Sequence, residues 1–114
     1  MTGTGPDPRA QALARYFRER AAAFSLSADS TGERHIASAG MALLDAGAAA
    51  ERLPVADARL AALTRAGRFE SMPDGTSRFL ESDAVRRVVQ RPLSGVPMSG
   101  SEILDLVVAS AWDE

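Results

Sequence analysis

RFESMPDGTSRFLE, residues 68–81, interrupts a chain whose other apolar residues recur at helical spacing. Pro73-Asp74-Gly75 has turn chemistry, because Pro fixes φ and Gly accepts the positive φ that closes a tight loop. A three-residue loop at 73–75 sets Glu70 opposite Arg78 and Phe69 opposite Phe79, which puts one charge pair and one aromatic pair across two short strands. An isolated hairpin is marginal in water, so the rival reading is an irregular loop wrapped on helices. Everything outward from this stretch reads as helix. The expected fold class is therefore all-α in the main, with about five helices in one domain over 1–114 and a small β-hairpin near 68–81.

Upstream, Leu60 and Leu63 predict a helix over 55–66, stopped by Gly67. Leu53-Pro54 breaks the pattern before it, since the residue preceding Pro avoids helical backbone. A longer helix is expected over 32–51, with Ser30 and Glu33 at capping-box spacing and an apolar stripe of Ile36, Gly40, Leu43, Leu44 and Gly47. Gly40 and Gly47 lie two turns apart, and each costs about 1 kcal/mol of helix stability against Ala. That cost points to close backbone approach by a neighbouring helix. The alternative is a helix ending at Gly47 with a separate turn over 48–53. Residues 25–32 form a polar loop. Asp7-Pro8 starts a helix over 8–24, with Ala10, Leu13, Ala14, Phe17, Ala21 and Phe24 inward and Arg15, Arg18 and Glu19 outward. Residues 1–6 are expected to fray.

Downstream, Ser82 caps a helix over 83–91 that faces Val85, Val88 and Val89 inward, and Pro92 ends it. A Pro/Gly-rich connector leads to a second capping box, Ser99 with Glu102, and a last helix over 100–112. This last helix is apolar on more than one side: Ile103, Leu106 and Val107 on one, Leu104, Val108 and Ala111 on another. It is either the central core helix or a helix with one face turned to a partner. The candidate partner or dimer face is Ile103, Leu106 and Val107.

The composition narrows the chemistry. Hydrophobic residues make up 46% of the chain but aromatics only 5%, so the core must be built from Ala, Leu, Val, Ile and four Phe. There is no Cys, which excludes disulfides, thiolate nucleophiles and sulfur-ligated zinc. His35 is the sole histidine and has no catalytic partner at helical reach. Asp74, Glu81 and Asp83 match no cation-loop pattern. Gly-x-Ser-x-Gly is missing, and the Gly95–Gly100 spacing lacks the Lys of a phosphate loop. The expectation is no enzyme, no cofactor and no metal. The first residues have neither a basic region nor an apolar segment, and no apolar run approaches the roughly 18 residues of a membrane span. A cytoplasmic protein without membrane contact is expected.

All thirteen basic residues are Arg. GC-rich coding explains this, and so does selection for planar bidentate donors. Charge alternates along the chain: residues 52–91 carry eight Arg against five acids, and residues 92–114 carry four acids and no base. Alternation of this kind favours internal or intersubunit pairing over one nucleic-acid footprint.

One stretch suggests a different use. Leu60-Ala-Ala-Leu63-Thr-Arg-Ala66-Gly67-Arg-Phe69, followed by the hairpin with Arg78-Phe79, resembles the end of a recognition helix, the turn and the wing of winged-helix regulators. The resemblance covers about 25 residues. It implies a DNA-binding regulator with Arg59, Arg65, Arg68 and Arg78 as phosphate contacts. One departure stands out. Winged-helix proteins place a complete short helix before the recognition helix, and here only Ala48 to Pro54 is free for it. The leading expectation is a non-catalytic protein–protein interaction or regulatory module that self-associates, its partner another protein or a second copy. The winged-helix-like DNA-binding regulator is the alternative.

Overall fold

Asp7 makes the helix start that its position suggests: its Oδ1 accepts the Arg9 backbone N–H at 2.8 Å. The computed structural model describes residues 7–26 and 33–112, with side chains at 7–23 and 38–112. The expectations for residues 1–6, the Ser30–Glu33 capping box, the Phe24, His35 and Ile36 side chains, and most of the 25–32 loop lie outside the described residues. Helix α1 spans Pro8–Leu26 and α2 spans Glu33–Glu51, each 19 residues long. They fold back on one another as the most extensive contact in the molecule. The long-helix reading of α2 holds, and α1 runs two residues past its expected end.

The stripe that α2 turns inward is Ala39, Ala42, Leu43, Ala46 and Ala50, all buried. Leu44, expected on that stripe, is half exposed. Small residues face the core because α1 lies close. A Cβ on Gly47 would stand 3.3 Å from the Ala14 carbonyl oxygen, whereas one on Gly40 would meet nothing within 4 Å. Close approach therefore explains Gly47 and not Gly40.

Helix α3, Ala58–Arg65, starts three residues later than its apolar spacing suggests. Pro54–Asp57 closes a turn, with Asp57 N–H donating to the Pro54 carbonyl at 2.9 Å. Asp57 then caps the helix through the Arg59 N–H. Leu60 and Leu63 are buried, and Gly67 ends the segment at φ +74°.

Strands β1 (Phe69–Ser71) and β2 (Ser77–Phe79) pair antiparallel with Phe69 opposite Phe79 and Glu70 opposite Arg78. Gly75 takes the left-handed backbone the turn requires, at φ +87°. The hairpin escapes the marginality of an isolated one because β2 docks on α1. The Phe79 ring lies 4.8 Å from that of Tyr16 and 5.7 Å from that of Phe69.

Helix α4, Asp83–Gln90, begins at Ser82, whose Oγ accepts the Val85 N–H. A single 3-10 turn, Pro92–Ser94, occupies part of the expected connector. Helix α5, Gly100–Ser110, carries the full capping box of Ser99 and Glu102 and ends two residues before its expected limit. It packs on α2, α4 and α3. A Cβ on Gly100 would come within 2.6 Å of the backbone of Asp45 and Ala46, so α5 starts in direct backbone contact with α2.

Candidate interaction surface

The neighbours of α5 decide what its apolar faces do. Ile103 and Val107 have no exposed surface, and Leu104 and Ala111 are buried with them. The inward stripe thus takes residues from both of the sides read in the sequence. Leu106 is only partly buried, against the same core. Two of the three residues of the candidate dimer face are therefore enclosed by the chain's own helices.

Two large exposed apolar side chains lie instead on α2, with others at Val55, Val96 and Trp112. Met41 is 67% exposed and Leu44 50%. At about 100° per residue they share the side opposite the alanine stripe, together with half-buried Ala48 and exposed Asp45, and exposed Arg52 directly follows the last helical residue, Glu51. At the edge of this face nearest α1, Arg18 pairs with Glu51 at 3.0 Å. Asp45 and Arg52 have no ion-pair partner among the described residues. Val55, beyond the end of α2, is 60% exposed.

The four arginines of the winged-helix reading do not form one open cationic face. Arg59 Nε lies 3.1 Å from Asp57 Oδ1, and its Nη1 lies 3.6 Å from Asp105. Hydrogen bonding from the Arg59 side chain holds the Asp57 carboxyl below the ordinary carboxylate range. Arg78 pairs with Glu70 at 2.7 Å, and Arg68 Nη1 donates to the Leu80 carbonyl at 3.4 Å. Arg65 is exposed and has no ion-pair partner among the described residues. Helix α2 continues to Glu51, and no helix stands between it and α3. The element order thus departs from that of winged-helix proteins.

A cleft of about 150 Å³ lies between α1 and β2, lined by Arg15, Tyr16, Glu19, Arg78 and Phe79. Tyr16, one of its lining residues, donates from Oη to Glu81 Oε2 at 2.5 Å, and Arg20 Nε lies 3.6 Å from the same carboxylate oxygen. Burial, then the hydrogen bond to Glu81, pushes the Tyr16 hydroxyl far above its ordinary value. The group stays protonated as a donor and ties α1 to the end of the hairpin. Among the described residues no three His, Asp or Glu are grouped to hold a metal ion, and no helix is long and apolar enough to cross a membrane.

No family model matches the chain, and no curated protein or solved structure matches it.

The α2 face is the feature that sequence reasoning passed over. Met41 lies off the stripe that the large apolar residues of α2 define, and Leu44, on that stripe, is half exposed. The usable signal was the spacing of Ala39, Ala42, Ala46 and Ala50, which marks the tightly packed side and leaves the larger residues outward.

Proposed function

We propose that the chain is a non-catalytic interaction module that pairs with a second copy of itself. The observation that carries this reading is the outer side of α2. Single exposed apolar residues are ordinary on a protein surface. Here two large ones, Met41 and Leu44, stand one turn apart in the middle of a 19-residue helix whose opposite side is buried from Ala39 to Ala50. Covering them would remove apolar surface from water at about 25 cal/mol per Å². The winged-helix reading has less behind it, because Arg59, Arg68 and Arg78 are engaged by Asp57, Leu80 and Glu70.

Sedimentation equilibrium across a concentration series tests the proposal. The expected result is a reversible monomer–dimer equilibrium. Leu44→Glu should shift it to monomer while leaving the circular-dichroism melt within about 0.5 kcal/mol of wild type, as befits an exposed position. A mass that stays monomeric at the highest concentration overturns the self-pairing.

A further inference from the structure

Building on the self-pairing reading, we propose that α2 packs antiparallel on α2 of a second copy, about a two-fold axis beside Ala48, so that Asp45 of each copy meets Arg52 of the other.

The order of charges on the face supports this geometry. Asp45 lies on α2 and Arg52 directly follows its last residue, Glu51, in a turn closed by the Arg52 N–H on the Ala49 carbonyl at 3.3 Å, so the two stand about 10 Å apart along the helix axis. Both are exposed, and neither has an ion-pair partner among the described residues. A parallel pairing in register would set Asp45 against Asp45 and Arg52 against Arg52. An antiparallel two-fold reverses the order and makes the opposite-charge contact twice, as an isologous interface requires. A foreign partner would need the inverse charge order on its own surface; a second copy supplies it by symmetry.

The apolar residues fit the same axis. The midpoint between Asp45 and Arg52 falls at Ala48–Ala49. Ala48 is small and half-buried, which suits two helices approaching to about 8 Å. Reversing the chain brings Leu44 under the aliphatic stem of Arg52 of the other copy. It also brings Met41 toward Val55, whose exposure nothing else in the fold uses. One helix face is small beside a standard interface of about 800 Å² per partner. The pairing is therefore weak and salt-sensitive, with the charge pairs setting its register.

The test uses the full chain at low salt, by sedimentation equilibrium, with Asp45→Arg, Arg52→Asp and the double variant. Each single variant places like charges together at both symmetry-related contacts, and its self-association should weaken about tenfold or more. Mixed in equal amounts, the two single variants should form a heterodimer, because each contact then joins opposite charges. The double variant should return to within about threefold of wild type. The mixing experiment also removes any ambiguity from a local effect of Asp45→Arg beside the start of α5, since a folded but merely repelled variant still pairs with its complement. Single variants that dimerise like wild type, or a mixture that stays monomeric, overturn the antiparallel geometry and leave self-pairing standing. A wild type monomeric at every concentration overturns both.

Discussion

Two glycines show how much depends on what lies across from a single α-carbon. Gly40 sits in the interior of α2 with open space where a Cβ would go. Gly40→Ala should raise stability by about 0.5–1 kcal/mol, the helix-propensity difference with nothing to offset it. Gly100 occupies the first turn of α5 with the backbone of Asp45 and Ala46 within 2.6 Å of the missing Cβ. Backbone cannot rotate aside as a side chain does, so Gly100→Ala should cost about 2 kcal/mol or more. Urea denaturation of the two variants measures both, and equal signs would contradict the packing described here. Both positions are glycine in the sequence, and their flanking residues do not say which of them faces another backbone; only the neighbouring element does.

At the scale of the element, α1 and α3 start with the same device. Asp7-Pro8-Arg9 and Asp57-Ala58-Arg59 each place an Asp carboxylate on the N–H of the Arg two residues on, at 2.8 Å, and on its Nε at 3.1 Å. In both cases hydrogen bonding from the Arg side chain is the main reason the carboxyl lies below its ordinary value. A carboxyl lowered in the folded state takes up its proton on unfolding. Its contribution is complete above about pH 4 and disappears as pH falls through the lower folded value. Asp7→Asn with Asp57→Asn keeps a capping oxygen but removes the charge. The stability gap between wild type and this double variant should be flat from pH 7 to 5 and close below pH 4 in urea melts; a gap that persists at pH 2 would show that charge is not its source. The Asp7 start was legible in the sequence because Pro follows it. The Asp57 start was not, because Leu53-Pro54 already breaks the apolar pattern and the turn over Pro54–Asp57 takes up the next residues. The hairpin register was legible to the residue, since Pro-Asp-Gly leaves little freedom for the pairing around it. The side of α2 that faces the core was misread at Leu44 for a physical reason. Hydrophobic periodicity points toward the largest apolar residues, but a helix pressed close to its neighbour must turn its smallest ones inward. The face of α5 was equally hidden, since its stripe is defined by three neighbouring helices rather than by its own spacing.

At the scale of the molecule, six of the described arginines, Arg9, Arg18, Arg20, Arg59, Arg78 and Arg86, are paired with acids of the chain itself. Arg9 bridges Asp7, Thr64 and the Val55 carbonyl, linking the start of α1 to α3. Arg59 reaches Asp105 on α5. Arginines tied in this way serve as struts, and the DNA-binding alternative must rely on those left open. If Arg65 and Arg78 contact phosphate, changing both to Ala should weaken binding to a generic labelled duplex for all sequences and flatten its salt dependence. The expected outcome from the pairing seen here is no measurable binding at low salt in fluorescence anisotropy, where screening is least; steep salt-dependent binding by the wild type would restore that alternative. The backbone contact at Gly100 carries a consequence for the order of folding. Helices α1 and α2 are neighbours in sequence, with six residues between the end of one and the start of the other. The start of α5 must instead find residues 45 and 46 across more than fifty residues of chain, a search that is slow for entropic reasons. The seat it needs exists only once α2 is formed and held against α1. The helical pair is expected to form first and α5 to dock late, so Gly100→Ala should hasten unfolding more than it slows folding, as the two arms of its chevron would show.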